Sequence, residues 1–177
     1  MGDSLIAVVV IALVAILMFV FPVMTMSDRT DDISKLTVQT EVTEFVDDVR
    51  TTGKLTLGKY NKLVESVAAT GNSYDVDMTL KLLDENPGKK TTQAQSSAIG
   101  ENATMELYTS QILDQLSNSK TKSLALKEGD YFSVSVKNTN VTTSQQFKNF
   151  LYKVTGNNNY TITAEHSGLV TANGTGK

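Results

Sequence analysis

The chain has no cysteine, no tryptophan and one histidine, and prolines stand only at positions 22 and 87. Missing cysteine removes disulfide scaffolds, thiolate metal centres and thiol nucleophiles together, while fitting a location on either side of a membrane. A lone histidine excludes multi-histidine metal sites. Basic surplus is also missing: 16 Lys and Arg face 19 Asp and Glu, for a net charge of −3. No basic face therefore advertises nucleic acid, which is not expected as a partner. The glycines fall at helix ends and turns, so no phosphate-cradling loop is built. With no nucleophile, metal set or cofactor loop, the expectation is a protein that is not an enzyme and holds no cofactor or metal.

What is present is concentrated at the start. Leu5 to Val23 reads LIAVVVIALVAILMFVFPV, without a charge. At ~1.5 Å per residue this run makes a helix of roughly 30 Å, the thickness of a bilayer's hydrocarbon core. Buried helices of soluble proteins usually keep a polar stripe, and this one has none. A secretory signal needs a basic start, a shorter apolar core and a small-residue cleavage site. Here Asp3 is acidic, the run is too long, and no A-x-A pattern follows before Ser27, so the segment reads as a retained single-pass membrane helix. Arg29 and Lys35 follow the span and weakly favour an outside N-terminus, but Asp28, Asp31 and Asp32 dilute them and leave orientation open.

Past Met26 the pattern becomes amphipathic without a break. Ile33, Val38, Val42, Phe45, Val46 and Val49 are taken as one apolar face. Ser27 or Thr30 could cap a separate helix, but no Gly or Pro intervenes before Thr52, so one long helix ended by Gly53 is simpler. Pro22 bends such a helix within the bilayer rather than ending it. A second helix is expected over 56–69, with Leu57, Tyr60, Leu63, Val64 and Val67 inward and Gly71 closing it. From Tyr74 the period falls to two: Val76, Met78, Leu80 and Leu82 alternate with Asp75, Asp77, Thr79 and Lys81, a half-buried strand. Asp84–Lys90 is a turn and charged loop. A helix over 104–116 turns Met105, Tyr108, Ile112, Leu113 and Leu116 inward. Lys127–Asp130 leads into a strand burying Phe132, Val134 and Val136. Thr143 or Ser144 caps a last helix, to Gly156, with Phe147, Phe150, Leu151 and Val154. A third strand carries Tyr160, Ile162 and Ala164, with a bend at Gly168, and a polar tail runs from Thr171. The fold class is α+β: a long N-terminal helix packed on a small three-stranded sheet with additional helices. Its divisions are 1–26, the membrane or filament-core helix; 27–53, the amphipathic continuation; and 54–177, the small surface domain.

Few side chains invite chemistry. Asp28, Asp31 and Asp32 cluster beyond the apolar run, where a solvated helix face outweighs a cation site or docking patch. Asp75 and Asp77 share a strand face at a spacing suited to paired carboxylates, but with Lys81 beside them an exposed polar sheet surface is the better reading. Asp84, Glu85 and Asn86 lack calcium-loop spacing, and turn chemistry wins. His166 stands beside Glu165 without a serine or cysteine elbow. Asn102, Asn140, Asn159 and Asn173 each begin an Asn-x-Thr glycosylation sequon, a weak pointer to an outside location in so Asn- and Thr-rich a chain.

An apolar N-terminal helix with Pro22, continuing as an amphipathic helix that packs on a small sheet, resembles the plan of type IV pilins and pseudopilins. The runs Met24–Asp32, Thr70–Val76 and Leu83–Lys90 resemble membrane-anchored proteins of Gram-positive anaerobes associated with tight-adherence (Tad-like) pilus machinery. The resemblance implies a structural subunit of an extracellular pilus-like filament. Its partners would be other copies of itself, membrane lipid before assembly, and an assembly platform with its ATPase. Asp3, Leu5, Val9, Leu13, Ile16, Phe19 and Pro22 are the implied helix-packing residues. The chain departs from the pilin pattern at position 5, where Leu replaces the family's Glu, and only Met-Gly precedes Asp3. Either prepilin processing does not apply, or Asp3 does a related job, neutralising a neighbour's terminal amine. The alternative is a single-pass membrane-anchored binding or accessory domain that does not polymerise.

Overall fold

Helix α1 forms because residues 2–52 contain no glycine after Gly2 and one proline, and because its two halves each have a reason to be helical. The apolar half has no water-facing stripe; the second half buries one stripe in the domain. In the computed structural model, which describes residues 2–83, 104–142, 145, 146, 149 and 162–174, α1 is one unbroken helix, Gly2–Thr52. It runs through Pro22. Thr25, Thr30, Thr40, Thr43, Thr51 and Thr52 return their hydroxyls to the carbonyl four residues back, so these six threonines are satisfied within the helix. The helix stops at Gly53, whose φ of +61° is the left-handed conformation that ends helices. A Cβ there would also collide with the backbone of Ala172, Asn173 and Gly174.

The remaining elements are β1 (Lys54–Thr56), α2 (Leu57–Ala68), β2 (Tyr74–Leu83), β3 (Thr104–Tyr108), α3 (Thr109–Asn118), β4 (Ser123–Ala125), β5 (Tyr131–Asn138) and β6 (Thr163–Leu169). Strands β3-β2-β5-β6 form one antiparallel sheet in that order, and β1 pairs with β4 in a separate antiparallel ribbon. The fold is thus mixed helix and sheet on a long apolar N-terminal helix, but with sheets of four and two strands instead of three strands in one.

Two expectations are corrected by the added strands. Residues 104–108 are strand, not the start of a helix, because Leu107 completes the inner row of β2 while Glu106 meets Lys81 across the pair at 2.8 Å. Met105 and Tyr108, expected inward, are exposed, and only Ile112 and Leu116 of the expected face are fully buried. The ribbon β1–β4 went unforeseen since three residues are too few to show a period. Gly168 makes no bend: β6 runs through it, opposite Phe132, and the Arg50 guanidinium lies where its Cβ would stand. The expected final helix is capped by Thr142, one residue earlier than foreseen. Its hydroxyl accepts from Gln145 N at 3.2 Å while Gln145 Oε1 accepts from Thr142 N at 3.0 Å. Gln145, Gln146 and Asn149 are helical; Phe147, Phe150, Leu151, Val154 and Tyr160, with the expected loop at 84–90, lie outside the described residues.

The core lies between α1 and the sheet. Val38, Val42, Phe45, Val46 and Val49 of α1 meet Val76, Met78 and Leu80 of β2, Phe132, Val134 and Val136 of β5, and Ala164 of β6. Phe45 and Phe132 touch edge to face, ring centroids 5.8 Å apart at 63°. Helices α2 and α3 complete the cover with Leu63, Val67, Ile112 and Leu116. The tail is not loose as far as Gly174. Thr171 N bonds Arg50 O, Gly174 N bonds Leu126 O, and Leu126 N bonds Gly53 O, so the chain's end is threaded between the end of α1 and β4.

Candidate functional site

Two surroundings meet along α1. From Asp31 to Val49 a stripe at three- and four-residue spacing (Asp31, Ser34, Val38, Val42, Phe45, Val46, Val49) is buried in the domain. From Leu5 to Val23 no residue is buried by the described part of the chain, and all but Val20 are exposed. Leu5, Val9, Leu13, Ile16, Phe19 and Pro22 are all exposed, Phe19 to 77 %, as is Asp3, the one charge before Asp28. These expected packing residues therefore sit on several sides of one bare rod about 33 Å long from Leu5 to Met26. It is the one described helix long and apolar enough to cross a membrane.

Ile33 does not belong to the buried stripe. It and Leu36 are each 66 % exposed, on the side of α1 away from the domain. The five-residue gap from Ile33 to Val38 was the available signal, since it turns about 140° round the helix. The polar residues Asp31 and Ser34 occupy the inward positions instead. Asp31 is accordingly no part of a solvated face: it is 2 % exposed, and Thr142 Oγ1 donates to its Oδ2 at 2.8 Å. That bond ties α1 to the domain where the helix emerges from it. Asp32 remains exposed.

A second clasp holds the other end. Asp47 Oδ1 accepts from Arg50 Nη1 at 2.8 Å and lies 3.2 Å from His166 Nε2. Arg50 Nε donates to Leu169 O at 2.9 Å. His166 thus faces α1 from the inner side of β6, in a structural contact. Neither feature was visible in the sequence, because the partners are 119 residues apart.

The outer sheet face carries Asp75, Asp77 and Lys81, exposed or nearly so. Asp75 lies opposite Lys137 and Asp77 opposite Ser135 on an exposed polar surface. Lys81, Glu106 and Tyr108 form a chain of contacts there. The Lys81 and Tyr108 hydrogen bonds hold the Glu106 carboxyl below its usual range, and the Glu106 bond raises both Lys81 and Tyr108. Tyr60 is raised by burial first and by nearby Asp75 second. No group of three or more His, Cys, Asp or Glu able to hold a metal occurs among the described residues.

Of the sequons, Asn140 is spent internally: its Nδ2 donates to Asn72 Oδ1 at 3.0 Å and its Oδ1 accepts from Ser73 N at 2.9 Å. Asn173 is exposed, with its Oδ1 accepting from Glu128 N. Asn102, Asn159, Asp84, Glu85 and Asn86 lie outside the described residues.

These features define a class by architecture: a mixed helix–sheet domain grown round the second half of a helix whose first half is of membrane length and uncovered. Compared with protein-family models, curated proteins and solved structures, the chain matches none.

Proposed function

We propose that this chain is a structural subunit of an extracellular, pilus-like filament of the type IV or Tad-like kind, held in the membrane before assembly. The observation that carries the reading is the shared helix: one unbroken α1 is domain core over its second half and bare apolar surface over its first. Each Leu, Ile or Phe of the bare half costs about 1.5–3 kcal/mol if left in water, so that half needs lipid or other helices around it at all times. Lipid meets the need in the membrane, and neighbouring copies meet it in a filament. Exchange between them rests on helix–helix packing, since lipid tails are as apolar as leucine. Platform and ATPase enter as the machinery that would lift the helix out.

Microscopy of sheared surface material, with the chain labelled, tests this. Polymer is expected from the wild type, with none from Leu13→Asp or Phe19→Lys. Normal filaments from either variant, or recovery of the wild type only in detergent-extracted membrane, would turn the reading towards a non-polymerising anchored domain.

A further inference from the structure

We infer that Asp3 of one copy pairs with Arg29 of a second, setting the axial step between adjacent helices; this rests on the filament reading above. Asp3 is the one charge in residues 2–27, at the head of a surface that must be covered by apolar neighbours. A carboxylate taken into such surroundings alone costs several kcal/mol, so it needs a cation that can reach it. Apart from a neighbour's terminal amine, α1 offers three side-chain cations: Arg29, Lys35 and Arg50. Arg50 is committed to Asp47 and Leu169 O. Lys35 lies off the outward stripe that carries Ile33 and Leu36. Arg29 is on that stripe, exposed, and takes part in none of the described ion pairs, which join Arg50, Lys59, Lys81 and His166 to acids.

The apolar pattern supports the same register. Arg29, Ile33 and Leu36 are spaced four and three apart, and Asp3, Ile6 and Val10 are spaced three and four apart, each a charge followed by two turns of apolar side chain. With Asp3 level with Arg29, parallel helices bring Ile6 and Val10 beside Ile33 and Leu36. Those last two are large apolar residues of the domain half of α1 that the domain leaves uncovered. The charge pair and the apolar pair thus ask for one occupant, the start of another copy. Arg29 lies about 39 Å beyond Asp3 along the axis, which becomes the axial step between the two copies. Two copies at equal depth in a bilayer cannot make the contact, because Asp3 of one then stands about 39 Å along the axis from Arg29 of the other.

The native absence of cysteine permits a direct test in the full chain, in cells that make it. Ile6→Cys and Ile33→Cys, expressed together, should give disulfide-linked dimers in sheared polymer, whereas Ile6→Cys with Thr51→Cys should give none. In parallel, Asp3→Arg and Arg29→Asp should each reduce polymer about tenfold or more, with the double swap returning most of it. Membrane levels of each variant are read by immunoblot, so a loss of insertion is not mistaken for a loss of pairing. Polymer from the Ile6→Cys and Ile33→Cys variants without the disulfide link, or single swaps that assemble normally, would overturn the pairing alone. Failure of the wild type to form any polymer would overturn the filament reading with it.

Discussion

Replacing Phe45 by alanine tests whether the second half of α1 is truly the core of the domain. Phe45 is 7 % exposed and meets the fully buried Phe132 edge to face. Removing a buried phenylalanine costs about 3–5 kcal/mol, through lost transfer energy and the cavity left behind. Of this, the ring–ring contact supplies about 0.5–1.5 kcal/mol. At a urea slope of ~2 kcal/mol/M, the midpoint should fall by about 2 M. The full chain is studied in detergent, with its six tyrosines as the probe, since there is no tryptophan. Helical circular dichroism is a poor probe here, because the apolar half stays helical in the micelle after the domain unfolds. Phe132→Ala should cost a similar amount, and the double variant less than the two together by the ring–ring energy. A midpoint for Phe45→Ala within about 0.3 M of wild type would refute the reasoning: α1 would then lie beside the sheet without being part of its core.

Thr142→Val leaves the buried Asp31 carboxylate without its 2.8 Å donor and Gln145 N without its hydroxyl acceptor. The domain should lose about 1–3 kcal/mol in the same urea assay, and Thr142→Ser should lose much less. Tyr60 should titrate above the ordinary tyrosine value of 10.0, followed by absorbance of the tyrosinate, and Asp75→Asn should lower it only part of the way, burial being the larger cause. A raised folded pKa means this contribution is complete below pH 10 and is lost as the pH climbs through the folded value. Glu106 has the opposite sign: with its pKa lowered from 4.5, its contribution is present above that value and is lost as acid takes the pH down through the folded one. Glu106→Gln should therefore speed amide exchange along β3 at neutral pH and low salt, with little difference left in high salt, as befits an exposed pair.

Legibility in the sequence followed the range of the forces involved. Hydropathy is a property of consecutive residues, so the membrane-length run and its continuity into the amphipathic half could be read directly, Pro22 included. Alternation placed β2 and β5 and their inward rows, Val76, Met78 and Leu80 with Phe132, Val134 and Val136. Tyr108 and Met105 were misplaced because a short segment beside a helix start carries both periods at once, and the tie is broken by pairing with β2. Ile33 was misplaced for a related reason. An apolar residue on an amphipathic helix is assigned inward by default, and only the domain's actual footprint shows which stripe it covers.

The linear sequence thus determined that this protein has a rod with an apolar half and a polar domain, because composition and spacing act within a few turns of chain. Tertiary structure alone decided which face of α1 the domain takes, that Asp31 is buried under Thr142, that His166 and Arg50 share Asp47, and that the tail is threaded against Gly53. The Asp31–Thr142, Asp47–His166 and Arg50–Thr171 contacts each join residues more than a hundred positions apart. The physical reason is that a buried polar group must find its partner wherever the fold puts one, and no local pattern records the choice.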